Sequence, residues 1–511
     1  MPTFAAVDIG ANSVRLKIAR LVRQRLNVVH EDREVTRLGE SVFRTGALDP
    51  HAMEHTIKVL RRFQRATQAQ GVDYVRVVAT SALRDSRNSR AFTDWVHAVT
   101  GWRVEVISGL EEGRLIHFGV VSGTRIGVSR LLLIDLGGGS CELTLSFDRQ
   151  IRSMSSLPLG AVRLTQEFLH HDPPKKRELR QLREFIGEEL LRVERRITAA
   201  RVQLAIATSG TAAALASVVA ARRKSARSSN PGIVSRRAVQ KLAADLQRRS
   251  LQERIALPGI GPRRAEIIIA GALVFAELMD HGIPGFRYSP LGLRDGLLAQ
   301  MAADYGRGPH ARRQIESERW NALLAACKHY GADIRFATRV RNLALQLFSR
   351  LKKVHHLPPE YQDWLVAAAM LHEVGYYLNR TGRHRHTYYV ISNSEIFGYT
   401  TQQRRLIAAI ARYMGKSRPA PPDAELKPLP VKDRELVPEA VVLLRLARAL
   451  DHGRRGAVNG LQAQTDGGRV LLRLVTRRGG ADLELWAVEK ERSYFRSVFG
   501  RELLAVAGQS V

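Results

Sequence analysis

The chain has 511 residues, 45% hydrophobic and 25% charged, with 80 Lys and Arg against 49 Asp and Glu for a formal net charge of +31. This composition excludes a disordered or fibrous chain and predicts roughly three or four globular domains. With two cysteines, Cys141 and Cys327, a disulfide framework and a cysteine zinc site are excluded as well. The longest apolar run, Ile267 to Met279, is too short to span a bilayer and carries Glu277, and no signal-like segment precedes Asp8. A cytoplasmic protein without membrane contact is expected. The positive charge attracts polyanions in general and does not choose among nucleic acid, an anionic surface and polyphosphate.

In chain order, "FAAVDIGANSVRLKI" from Phe4 predicts strand, turn and strand. A helix over His51–Ala69, a buried strand over Tyr74–Thr80, a helix over Ser89–Thr100 and a strand over Arg103–Ser108 follow. This alternation predicts an α/β layer with a partly parallel sheet. A second α/β block opens at Leu131 with "LLLIDLGGGSCEL". It continues with a helix over Arg177–Ala199, the strand "VQLAIAT" and a helix after Gly210. The basic, Ser-rich stretch at 221–232 is expected to be an exposed, mobile loop, and "DYGRGPHARR" from Asp304 a linker. From Ile315 to about Leu450 apolar residues recur at three- and four-residue spacing, which predicts helices. Beyond that, "GRVLLRLVTR" and "ADLELWAV" alternate, which predicts strands.

The turns "VDIGANS" (Val7 to Ser13) and "IDLGGGS" (Ile134 to Ser140) share one grammar. A strand ends in Asp, and glycines then let the backbone approach closely and aim its N–H groups at an anion. A single such turn is equally consistent with a plain hairpin. Two copies, each opening an α/β block, predict duplicated lobes facing each other across a phosphate-filled cleft. In "SGLEEGRL", Glu111 and Glu112 suit either the N-terminal dipole of a helix or a general base. Ser209, Gly210 and Thr211 form a strand-to-helix turn that caps the helix or cradles a phosphate. Arg84, beyond a strand end, is a surface arginine or a phosphate clamp, and Glu142 a solvated strand position or a metal ligand.

Six stretches in order, "AAVDIGANSVRL", "VVATSALRDSRN", "VISGLEEGRLIHFGV", "LLLIDLGGGSCEL", "LPLGAVRLT" and "ATSGTAAAL", resemble the exopolyphosphatase and guanosine pentaphosphate phosphohydrolase family, within the actin, Hsp70 and sugar-kinase superfamily. The resemblance implies two actin-like lobes over 1–124 and 125–306, a helical domain over 312–455 and a small α/β cap over 456–511. It implies Glu112 as the catalytic carboxylate and Mg²⁺ held by Asp135 and Glu142, with Asp8 a weaker ligand. Phosphate would be gripped by Asn12, Ser13, Arg84, Gly137, Gly138, Gly139, Ser140, Ser209, Gly210 and Thr211. It also implies a homodimer.

The helical block resembles the HD phosphohydrolase domain. Glu373 follows His372, Phe336 stands where the first histidine belongs, Asp451 fits the last ligand, and His384 and His386 lie between. Metal ligation tolerates neither change well, so the resemblance implies a degenerate domain used for binding and dimer contacts. "LPGIGPRRAEII" from Leu257 looks like half of a helix-hairpin-helix DNA module. Without its partner hairpin, nucleic acid is not expected as a ligand.

The leading expectation is Mg²⁺-dependent removal of terminal phosphate from inorganic polyphosphate. Guanosine pentaphosphate (pppGpp) 5′-phosphohydrolase is the close alternative. A non-enzymatic polyanion binder is a third reading, and an ATP-dependent kinase a fourth, for which no adenosine-recognition motif is present.

Overall fold

β1 (Thr3–Ile9) is buried along almost its whole length, as a strand covered on both faces must be. In the computed structural model it is the centre of the first of three sheets. The structure describes all residues except 24, 125, 224–231, 306–308, 477–479 and 509–511, and the backbone alone over 309–315. Most of the 221–232 loop, and the middle of the linker after Asp304, therefore lie outside the described residues. The chain divides into two compact units, Met1–Arg313 and Gln314–Val511.

In the first unit, β2 (Ser13–Val22) pairs antiparallel with β1, and β3 (Arg25–Val35) antiparallel with β2. β4 (Tyr74–Ala79) lies parallel on the other side of β1, followed by β5 (Val104–Val106), for the order β3-β2-β1-β4-β5. The second sheet repeats this arrangement. β6 (Arg130–Leu136), β7 (Cys141–Phe147) and β8 (Gln150–Leu157) form the antiparallel meander. β9 (Leu204–Thr208) lies parallel to β6. β10 (Ile233–Ser235) and β11 (Gly285–Tyr288) complete the order β10-β11-β9-β6-β7-β8. The third strand of each meander, β3 and β8, is absent from the sequence reading because neither has an apolar run.

Two helices join the sheets. Helix Gly109–Gly123 and helix Leu293–Tyr305 share one core with Phe4, Ala6 and Val78 of the first sheet and Leu131, Leu133 and Ile206 of the second. Their crossing depends on glycine. A Cβ on Gly296 would lie 1.8 Å from the Leu115 carbonyl oxygen, and one on Gly119 would lie 2.5 Å from the Gly296 nitrogen. The opposite face of the first sheet packs with helices Pro50–Ala69 and Ser89–Thr100, and that of the second with helices Lys176–Ala200 and Ile268–Asp280.

The second unit packs helices Ile334–Arg350, Tyr361–Leu371, Thr401–Arg412 and Val431–Ala449 around one core. It ends in a three-stranded sheet of β12 (Val458–Asp466), β13 (Arg469–Thr476) and β14 (Glu502–Ala507). The strand expected at "ADLELWAV" is instead the start of helix Asp482–Phe499. Its buried residues Glu484, Ala487, Val488, Tyr494 and Phe495 follow a helical stripe, visible only over a window longer than the eight alternating residues.

At the positions resembling an HD domain, the Phe336 ring lies 5.6 Å from His372 and the Arg454 guanidinium 4.1 Å above Phe336. Arg454 pairs with Glu373. Asp451, fully buried, accepts from Arg339 Nε at 2.6 Å and from the Gly456 N–H at 2.8 Å. Burial among arginines pulls His372 down to about 3 and His384 to about 4.

Candidate active site

The two glycine turns meet face to face. A Cβ on Gly138 would lie 3.0 Å from Ala11 Cβ and 3.3 Å from the Asn12 nitrogen, so the second turn seats directly on the first. Asp8 and Asp135 occupy matching places in β1 and β6, each opposite its hairpin partner, Arg15 or Glu142. Between the turns opens a cleft of about 260 Å³, lined by Asp8, Asn12, Ser13, Glu112, Asp135, Gly137, Gly138, Ser140, Ser209 and Gly210 among the expected residues.

The adjacent glutamates separate on the helix. Ser108 Oγ caps helix Gly109–Gly123 by accepting the Glu111 N–H at 3.1 Å, and the Glu111 carboxylate holds Arg114 at 2.8 Å. Successive positions on a helix point about 100° apart. Glu112 is thereby turned into the cleft, 7% exposed, with Oε2 lacking a hydrogen bond among the described residues and lying 3.7 Å from Arg84 Nη1. Arg84 itself is steered by the Ile107 carbonyl at 2.8 Å and Ser140 Oγ at 3.4 Å.

Glu112, Asp135 and Glu142 each offer an oxygen within 4.8 Å of the others. Ser156 Oγ donates to Glu142 Oε1 at 2.8 Å and Thr208 Oγ1 to Asp135, while Glu142 Oε2 is buried with no partner among the described residues. Three carboxylates so close, two of them buried, resist ionisation. Burial and then the Glu142 charge push Glu112 well above the usual carboxylate range, with Arg84 opposing. Burial and Asp135 push Glu142 up to about 7. Burial likewise raises Asp135 and Asp8. Hard oxygen ligands with unpaired lone pairs, crowded together in a buried site, fit a divalent cation of the Mg²⁺ type. Asp8 stands outside this three-carboxylate group and meets it through the cleft.

Arg84, Glu142, Gly139 and Thr211 are not among the residues that line the cleft, and Ser209 does so while tied elsewhere. Gly139 is pressed between Ser81 and Phe43, where a Cβ would come within 2.3 Å of Ser81 Oγ. Thr211 is fully buried against Gly271, and its hydroxyl has no partner among the described residues. Ser209 has φ +72 and ties its hydroxyl to the Leu136 carbonyl at 2.5 Å, linking the third turn to the second.

Four arginines missed in the sequence line the cleft: Arg15, Arg33, Arg264 and Arg294. Arg264 lies inside the hairpin-like "LPGIGPRRAEII". It is 8% exposed and packs on Gly210, where a Cβ would lie 2.0 Å from its Nη2. Burial and neighbouring arginines lower Arg264 to about 9 and Arg33 to about 10. Both remain cationic at neutral pH, crowded in a way that an anion relieves. The signal in the sequence was weak, because each arginine comes from a different element.

A family model described as the Ppx/GppA phosphatase family matches residues 17–304, and one described as Ppx/GppA phosphatase, domain III, matches residues 319–478. An exopolyphosphatase from Cytophaga hutchinsonii is similar in fold, with 24% identity, 59% of this chain and 98% of that chain covered, and a TM-score of 0.55. A Ppx/GppA family member from Aquifex aeolicus shows 28% identity, 60% and 99% coverage, and a TM-score of 0.50. An exopolyphosphatase-like protein shows 29% identity, 60% and 98% coverage, and a TM-score of 0.54.

Proposed function

Because the chain belongs to the Ppx/GppA phosphatase family, we propose that it is an exopolyphosphatase, releasing terminal phosphate from inorganic polyphosphate by attack of water. One observation carries the reading: Glu112 and Asp135, two members of the three-carboxylate group completed by Glu142, line a single cleft with Arg15, Arg33, Arg264 and Arg294. A chain of linked phosphates needs both a reacting centre and an extended cationic wall, and the arrangement offers the two side by side.

Glu112 is the base. Its Oε2, without a hydrogen bond among the described residues, takes the proton of the attacking water as the new P–O bond forms, while the bridging P–O bond breaks and the shortened chain leaves with the electron pair. Arg84, 3.7 Å away, holds Glu112 toward its ionised form and presents its guanidinium to the phosphate. The N–H groups of the Gly137–Ser140 turn and the Asn12 and Ser13 side chains bind the phosphate oxygens. Asp135 and Glu142 would hold Mg²⁺, which supplies positive charge against the phosphate oxygens and the crowded carboxylates. Hydrolysis of guanosine pentaphosphate is the second reading, favoured by Tyr288, an aromatic ring on the cleft wall available to a base.

The test is phosphate release from long-chain polyphosphate, guanosine pentaphosphate and ATP in parallel with Mg²⁺. Wild type is expected to act on polyphosphate, and Glu112→Gln to be slower by about 10²- to 10⁴-fold. Undiminished hydrolysis in the variant refutes the base, and no release from either favoured substrate refutes the hydrolase reading.

A further inference from the structure

Lys17 lies on β2 directly opposite Glu31 on β3, in the first sheet's meander. It is 7% exposed, an uncommon burial for a lysine. Its Nζ reaches Glu31 Oε1 at 2.9 Å and Asp295 Oδ1 at 2.8 Å. The second oxygen of Asp295 accepts the Gly292 N–H at 2.9 Å and so fixes the start of helix Leu293–Tyr305. Arg294, next to Asp295 in the chain, approaches the first of these acids. Its Nη1 donates to the Leu16 carbonyl at 3.0 Å, lies 3.8 Å from Glu31 Oε1, and belongs to a side chain that lines the cleft.

We infer that Lys17 is a positioning residue: by occupying Glu31 and Asp295 it keeps the Arg294 guanidinium facing the cleft, available to substrate phosphate. The inference rests on the reading of the cleft as a phosphate site. Two cations, Lys17 and Arg294, meet two carboxylates, Glu31 and Asp295, at this junction, and on its cleft side Arg294 also feels Arg15 and Asp8, whose opposite charges offset each other. Without Lys17, two carboxylates confront one guanidinium, and Glu31 has only the 3.8 Å gap to close to pair directly with Arg294. That pair satisfies Arg294 internally and withdraws its charge from the substrate. The lysine thus acts through competition, at one remove from the reacting phosphate.

The experiment uses the full chain with Mg²⁺ and polyphosphate, read as KM and kcat separately. Lys17→Met is expected to raise KM about tenfold with kcat within about twofold, the pattern of lost ground-state binding. Lys17→Met/Glu31→Gln, which removes the competitor, is expected to restore KM to within about threefold of wild type, a rescue that a merely structural lysine does not give. In an Arg294→Gln background, adding Lys17→Met is expected to raise KM no further. A wild-type KM in folded Lys17→Met, a raised KM persisting in the double variant, or a fall in kcat at constant KM overturns the inference. Glu31→Gln alone leaves the buried lysine in place and guards against misfolding of Lys17→Met. It is expected to leave KM unchanged or lower, and a rise above about threefold overturns the inference. If wild type binds polyphosphate without hydrolysing it, the calorimetric Kd carries the same comparison, so failure of the hydrolase reading and failure of the Lys17 role remain distinguishable.

Discussion

Replacing Glu142 by Gln should make the metal-free protein less sensitive to rising pH. Burial and the Asp135 charge lift this carboxyl from 4.5 to about 7. A carboxyl that holds its proton more tightly when folded contributes stability that is complete below its unfolded pKa and lost as pH climbs through the folded one. The window therefore runs from about pH 4.5 to about pH 7. A shift of that size corresponds to about 3 kcal/mol at 1.36 kcal/mol per unit. The substituted amide mimics the protonated carboxyl and can still accept from Ser156, so it avoids the loss; it also relieves Glu112, whose raised pKa owes part to the Glu142 charge. In EDTA, the thermal midpoint of wild type should fall between pH 5 and pH 8 by about 5 °C more than that of Glu142→Gln. Mg²⁺ should recover the difference at pH 8 in wild type and have little effect on the variant. Equal pH dependence of the two proteins in EDTA refutes the reasoning.

Gly210→Ala places a methyl group 2.0 Å from Nη2 and 2.7 Å from Cζ of the buried Arg264, so the guanidinium should be displaced from its seat while the backbone stays. The expected result is a KM for polyphosphate raised about tenfold at near-normal thermal stability, and an unchanged KM counts against a substrate contact by Arg264. Phe336→His should not create a metal-dependent phosphodiesterase, because Arg454 already pairs with Glu373 and Arg339 with Asp451. Hydrolysis of a nitrophenyl phosphodiester with Mn²⁺ by the variant is the measurement that would show otherwise.

What the sequence made legible follows distance along the chain. The strand–Asp–glycine turns are local objects, with the strand end, the acid and the glycines all inside seven residues, and their repetition pointed to two facing halves. The residues alone left Glu111 and Glu112 open and the family resemblance chose Glu112; the physical reason is where the helix starts, which Ser108 decides through its cap. The cationic wall was not legible. Arg15 comes from β2, Arg33 from β3, Arg264 from the short helix Pro262–Ala265 and Arg294 from helix Leu293–Tyr305. In a chain with 80 basic residues, nothing local marks those four as neighbours. Thr211 misled for the opposite reason: its motif is local, but its side chain, early in the helix, faces Gly271 and the core.

The helix Leu293–Tyr305 closes a core begun by Phe4 and Ala6. On a ribosome, which adds about 5–20 residues per second, roughly 15–60 s separate the emergence of those first strands from synthesis of their last packing partner. Throughout that interval the inner face of the first sheet lacks its last packing helix. The N-terminal half is therefore a natural client for a chaperone during translation, and a nascent chain released before Tyr305 would expose an aggregation-prone apolar face however well its own strands had paired.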